Sequence, residues 1–252
     1  MNYVFKKARI LVVEDQRIIA LDLATTINKA GHEAIGIESK GEKAIMAAEA
    51  LKPDLVFMDI SLSGDMDGIE TAKILKQTSN IPLIYLTAYA DDKTIERAKI
   101  TEPYGYIVKP LDERELRSAV EIALYKHRTE KLLKDSEAKY RAIVDTVEGS
   151  LFLVNSNKEI VFANKFFEEK VNNNFLNTEA CHKILFSKDH PCDHCKMSEV
   201  LSGRTVRTEV YDKNTDTWYY LLNSPVKLSS GEVFNQHLLM DITIQKKTEE
   251  TL

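Results

Sequence analysis

Three carboxylates, Glu14, Asp15 and Asp59, stand immediately after short apolar runs, Ile10–Val13 for the first two and Leu55–Met58 for the third. Such runs, bounded by turn residues, read as strands covered on both faces. Ligands of open α/β sheets bind outside the carboxyl ends of the strands, so acids placed there are candidates for chemistry rather than packing. Thr87 ends a further run, Ile81–Leu86, and Lys109-Pro110 follows Tyr104–Val108. If these strands are parallel, all five side chains project at one rim. Three carboxylates together repel, and an octahedral Mg²⁺ held by carboxylates, waters and a substrate phosphate suits such an all-oxygen site. Lys109 would add a fixed positive charge and Thr87 a hydroxyl, the parts that stabilise a transferring phosphoryl group. Asp59 would then be the nucleophile, forming an aspartyl-phosphate.

The elements that must hold this set alternate. Strands are expected at 8–13, 33–37, 54–58, 81–86 and 104–108. Between and after them the apolar spacing predicts helices, the first closed by Gly31 and the last starting near Asp112. Five strands alternating with five helices imply a parallel sheet, helices on both faces and right-handed crossovers. Pro82 is tolerable near a strand start.

Residues 8 to about 125 resemble the receiver domain of two-component response regulators. The likeness is carried in order by Glu14-Asp15, Asp59, Thr87-Ala88, Tyr106 and Lys109-Pro110. It implies a flavodoxin-like (βα)5 fold and phosphotransfer from a sensor histidine kinase to Asp59. It also implies Mg²⁺ held at Glu14, Asp15, Asp59 and the main-chain carbonyl of Ser61. A switch is implied in which Thr87 and Ala88 approach the phosphate and Tyr106 turns inward, with a cis bond at Lys109-Pro110. Plainer readings remain for single residues: Glu14 as a helix-start acid, and Tyr106 as an ordinary strand aromatic. The loop 61–68 is longer than the commonest receiver form, which bears on access to the phosphate and its lifetime.

The helix from Asp112 continues its apolar pattern to Gly149. A spacing of seven joins Leu133, Tyr140 and Val147, with Ser136 and Ile143 between, while Lys126 and Thr129 interrupt the register. Either a weakly pairing helix of a homodimer or one amphipathic helix packed on its own domains fits this pattern. His127 reads as a surface histidine.

In the second half, 150–154 and 159–163 flank a turn cluster and form a hairpin. A short helix follows at 164–170, then strands at 204–211, 217–224 and 232–240. Five antiparallel strands with helices between the second and third make a small α+β fold. It resembles a PAS domain at Arg141–Asp145, Phe162-Ala163-Asn164 and Asp241-Ile242-Thr243, and receiver-PAS regulators of this kind are similar to ones found in archaea. Phe152, Phe162, Phe166, Phe167, Phe175, Trp218 and Tyr220 could line a pocket for an unidentified PAS ligand, or simply be core. Cys181, Cys192 and Cys195 are all the cysteines of the chain and fall in one stretch with His182, His190 and His194. They could form a Zn²⁺ or other metal or redox cluster, or a reduced structural one.

The organisation expected is therefore a receiver at 1–125, a helical linker at 126–140, a PAS sensor or interaction domain at 141–245, and the start of a further helix at 246–252. A net charge of −5 over 252 residues argues against a phosphate-neutralising surface over the whole molecule and leaves a local basic patch open. No apolar run approaches the length of a membrane span and the N-terminus lacks a signal-peptide core, so a cytoplasmic protein is expected. Three cysteines fit a reducing compartment. The expected function is that of a non-enzymatic response regulator acting through protein contacts or dimerisation. Contact with DNA or the transcription machinery, or the sensor portion of a histidine kinase, are the alternatives.

Overall fold

The computed structural model describes residues 7–88, 92–171, 180–186, 189–192, 195–213 and 215–249. The chain divides into two compact units, Met1–Lys134 and Asp135–Leu252.

The first unit alternates β1 (Arg9–Val13), α1 (Arg17–Lys29), β2 (Glu33–Glu38), α2 (Gly41–Leu51), β3 (Leu55–Asp59), α3 (Gly68–Thr78), β4 (Leu83–Thr87), α4 (Asp92–Lys99) and β5 (Gly105–Val108). α5 (Glu113–Asp145) then runs unbroken past the unit boundary, so the segment 126–140 is part of one helix. All pairings in the sheet are parallel, in the order β2-β1-β3-β4-β5. The strand order reverses between β1 and β3, the kind of switch point at which such sheets open a crevice.

Strand periodicity explains why both faces are filled. Ile10, Val12, Phe57, Ile84, Leu86 and Ile107 point to one side, against Ala20, Leu23 and Ile27 of α1 and Leu116, Val120 and Ala123 of α5. Their neighbours Leu11, Val13, Val56, Met58 and Tyr85 point to the other, against α2 and α3. The inner strands β1, β3 and β4 are therefore buried without alternation, as a doubly covered parallel sheet requires. Gly31 lies just past α1 with φ +90, the left-handed geometry that ends a helix at low cost.

His127 is more than a surface histidine. Its Nδ1 lies 3.1 Å from the Tyr104 hydroxyl, which also donates to Glu130 at 2.6 Å. The two rings meet edge to face at 5.5 Å.

The second unit is built on β6 (Ser150–Val154), β7 (Ile160–Ala163), β8 (Val206–Asp212), β9 (Thr217–Lys227) and β10 (Val233–Asp241). They form an antiparallel sheet in the order β7-β6-β10-β9-β8. α6 (Lys165–Lys170), α7 (Cys181–Phe186) and α8 (Met197–Leu201) lie between β7 and β8 in the chain, and α9 (Thr243–Glu249) follows β10. β9 extends beyond the expected end at Ser224 and includes Pro225. β8 pairs with β9 only up to Asn223, so the missing N–H of Pro225 faces no β8 partner.

Asn164 pins the entry to this unit. Its Oδ1 accepts from the N–H groups of Leu151 and Phe167, and its Nδ2 donates to the carbonyls of Val144 and Gly149. One fully buried amide thus joins the end of α5, the start of β6 and the first turn of α6.

The six described aromatics of that set do not converge on one pocket. Phe152 and Phe167 pack together in the core at 4.6 Å. Phe166 is exposed. Trp218 and Tyr220 alternate with Tyr219 and Leu221 and so occupy the opposite face of β9 from Leu221 and Asn223. Phe162 pairs with Leu153, on the other face from Phe152. Phe175 lies outside the described residues.

Candidate functional site

β1 and β3 end side by side, and their register sets Val13 against Met58. The residues that follow therefore meet at one rim. One carboxylate oxygen from each of Glu14, Asp15 and Asp59 lies within 4.8 Å of the others, the one metal-competent group of its kind among the described residues. Glu14 and Asp59 are buried, and Asp15 is half-buried.

Lys109 reaches this group from the end of β5. Its Nζ donates to Asp59 Oδ2 at 2.8 Å and to Glu14 Oε2 at 2.5 Å. Burial opposes the charge on Lys109, but the bonds to Asp59 and Glu14 more than offset it and hold its pKa above the ordinary value. Burial raises Glu14, with Asp59 adding to the rise, against the lowering effect of the Lys109 bond. A buried cation bonded to two acids leaves the cluster with an excess of negative charge, the electrostatic condition for a divalent cation. The donor set is all oxygen and fits Mg²⁺.

The remaining expected residues fall around this centre. The Ser61 N–H donates to Asp59 Oδ1 at 3.1 Å, and Ser61 is exposed at the start of the loop. Thr87 is buried at the end of β4, its carbonyl accepting from the Lys109 N–H at 2.8 Å, and Ala88 beside it is exposed. The Lys109–Pro110 bond is cis. Tyr106 is 38% exposed and stacks on buried Tyr85 with centroids 5.8 Å apart. It borders a cavity of about 400 Å³ together with Tyr104, Lys126 and Glu130, apart from the acid cluster.

Three contributors escaped the sequence reading. Ser63 donates its hydroxyl to Asp15 Oδ2, folding the loop back over the acids. Gly68 opens α3 where a Cβ would stand 1.9 Å from the Asp59 carbonyl oxygen, so only glycine lets the helix approach. Asp67 caps α3 through a reciprocal bond with Glu70 and pairs with Arg97 of α4 at 2.7 Å. The D-x-x-E spacing of that capping box was available in the sequence; the close approach at Gly68 was not.

The cysteine stretch behaves differently. Cys181 and Cys195 pack against the core of the second unit, and the Cys195 N–H donates to the Cys192 carbonyl at 3.0 Å. All three are of intermediate exposure. Burial, reinforced by Cys192 and Cys195, pushes the Cys181 thiol up to about 11. Zinc at the cysteines finds no support. Asp193 and His194 lie outside the described residues.

The fold and the rim of acids with its lysine define a class, and the comparisons agree with it. Residues 10–121 match the response regulator receiver domain. The chain is 35% identical over 120 residues to the transcriptional regulatory protein PdtaR of Mycobacterium tuberculosis, covering 48% of this chain and 58% of that protein. It is 32% identical over 118 residues to the phyllosphere-induced regulator PhyR of Methylorubrum extorquens, covering 46% and 43%. Among solved structures, the signal receiver domain of a modulated diguanylate cyclase from Desulfovibrio desulfuricans shares 36% identity with a TM-score of 0.48, covering 50% of this chain and 99% of that one. The first unit is thus a response regulator receiver domain, and the chain spans roughly half the length of the curated relatives it matches. No helix among the described residues is long and apolar enough to cross a membrane.

Proposed function

We propose that this protein is a two-component response regulator whose Asp59 accepts a phosphoryl group from a histidine kinase. The observation that carries the reading is the pair of hydrogen bonds that Lys109 Nζ donates to Asp59 and Glu14 at the carboxyl ends of β1, β3 and β5. A carboxylate oxygen of Asp59 attacks phosphorus, the bond from phosphorus to the donor's imidazole nitrogen breaks, and that nitrogen keeps the electron pair. Lys109, already placed against Asp59, takes a transferred phosphoryl oxygen as its partner. Thr87 offers a hydroxyl from the neighbouring strand. Glu14, Asp15, Asp59 and the Ser61 carbonyl are the groups that would hold Mg²⁺, which supplies neutralisation of the charge on the transferring group. Ser63 and Gly68 keep the loop and α3 close to the acceptor.

The antiparallel second unit serves in this proposal as a PAS-type sensor or interaction domain. Its strand order, the helices α6, α7 and α8 between β7 and β8, and the Asn164 pin support that assignment. The output is regulation through protein contacts, including self-association along α5, and the regulator names of the relatives support gene expression as the process controlled.

Intact mass of the wild type and Asp59→Asn, each incubated with Mg²⁺ and acetyl phosphate, tests the central step. One added phosphoryl group on the wild type alone is expected. No gain on the wild type, or an equal gain on Asp59→Asn, would remove Asp59 as the acceptor.

A further inference from the structure

The chain's three cysteines all belong to the second unit. Cys181 opens α7, and its N–H donates to the Lys158 carbonyl at 2.7 Å, which fixes it to the turn between β6 and β7. Cys192 and Cys195 precede α8, and the Cys195 N–H donates to the Cys192 carbonyl at 3.0 Å. A bond from residue i+3 back to residue i brings the two Cα atoms to within about 7 Å of each other. Disulfides join Cα atoms about 4.4–6.8 Å apart, so this bond holds Cys192 and Cys195 at bridging range.

The pair is reachable and the third cysteine is not its equal. Cys192 and Cys195 are half-buried, open enough for a small reagent. Both act on the Cys181 thiol, so their sulfurs lie near it. The three do not make a metal cage: among the described residues, no three thiol or imidazole groups gather within 4.8 Å. Burial keeps Cys181 protonated at neutral pH, and the thiolate is the nucleophile in exchange. Cys181 is therefore the bystander. Cys195 packs against the core and immediately precedes Lys196, the N-cap residue of α8, whose Met197 and Val200 are buried. A bridge at Cys195 restrains the start of that helix against the core.

We infer that Cys192 and Cys195 form a thiol–disulfide site that exchanges with low-molecular-weight disulfides and leaves Cys181 reduced. One thiolate of the pair attacks a sulfur of the external disulfide, whose S–S bond breaks and releases a thiolate. The second cysteine attacks the resulting mixed disulfide, and the other external thiolate leaves. Two cysteine sulfurs are oxidised, the external disulfide is reduced to two thiols, and those thiols take up the two protons the cysteines gave up. A half-exposed bridge closing so short a loop removes little chain entropy and is of the kind a thiol pool reverses. The inference goes beyond phosphotransfer and does not depend on it.

The test equilibrates the reduced full chain in glutathione buffers of graded ratio, blocks it with N-ethylmaleimide and maps the tryptic peptides. Cleavage after lysine releases 189–196 with Cys192 and Cys195 together, and 171–183 with Cys181. Peptide 189–196 is expected without label and lighter by two hydrogens than its reduced form, while 171–183 carries one maleimide. The bridge should form in the folded chain at a glutathione ratio about tenfold more reducing than the chain unfolded in urea requires. Cys181→Ser should leave it intact, and amide hydrogen exchange across 196–201 should slow on oxidation. A bridge that joins 171–183 to 189–196, glutathione retained on single cysteines, no oxidation at any ratio, or the same ratio in urea would overturn the inference. Unchanged exchange across 196–201 would overturn the link to α8.

Discussion

Lys109 is the residue on which the site's electrostatics turn. Its side chain is only 11% exposed, and the Glu14 and Asp59 side chains it joins are 0% and 6% exposed. Removing a single partner from a buried ion pair leaves uncompensated charge and costs about 3–5 kcal/mol. Lys109→Met should therefore destabilise the first unit by about 3 kcal/mol at neutral pH, measured by calorimetry or by hydrogen exchange in β1 and β3. The deficit should depend on pH with a defined sign. Glu14 already titrates above its ordinary value through burial, and without Lys109 it loses a bond that lowers it. A raised carboxyl is best tolerated protonated, so the variant's deficit should be full above the folded pKa of Glu14 and shrink as pH falls toward its unfolded value. A deficit that does not change with pH would mean that Glu14 and Asp59 do not share their charge through Lys109. At this scale the sequence was informative for a physical reason. Acids and a lysine at the ends of apolar runs are costly unless they meet, and the parallel sheet brings them together.

At the scale of elements, the approach of α3 to β3 rests on one glycine. Gly68 follows the capping box of Asp67 and Glu70, and its N–H donates to the Ile60 carbonyl at 3.2 Å. A methyl group there would overlap backbone rather than the end of a flexible side chain. Gly68→Ala is expected to cost about 1–3 kcal/mol through a forced shift of α3 away from Asp59. It should also slow phosphoryl uptake from acetyl phosphate, read by intact mass against time. Unchanged stability and uptake would show that the loop absorbs the methyl without moving the acceptor. The elements themselves were largely legible in the sequence. All five parallel strands and their helices lie within a few residues of the expected spans, because apolar runs closed by glycine, proline and acidic turns leave few alternatives. What remained illegible was contact geometry: Ser63 over Asp15, Gly68 against Asp59, and Tyr104 bonded to His127 and Glu130. The strand through Pro225 was missed because proline reads as a stop unless the missing neighbour is known.

For the whole molecule, α5 is the element that both units share. It exposes Leu132, Leu133, Tyr140 and Ile143, each more than half accessible. The seven-residue spacing of Leu133 and Tyr140 suits pairing with the same face of a second copy, weakened by Lys126 and Thr129 in that register. In the proposed mechanism phosphorylation biases this self-association. Tyr140→Cys should form an intermolecular disulfide under mild oxidation, to a greater extent after treatment with acetyl phosphate and Mg²⁺ than before. A chain that stays monomeric in both conditions would assign output to other partners. The account as a whole depends on the chemistry at Asp59, and the most direct measurement locates the phosphoryl group itself. After phosphorylation, borohydride reduction converts an acyl phosphate to the alcohol, and sequencing of the resulting peptides by mass spectrometry identifies the residue changed. The account predicts homoserine at position 59 and nowhere else. An unchanged Asp59, or homoserine at Glu14's neighbour Asp15 instead, would contradict it.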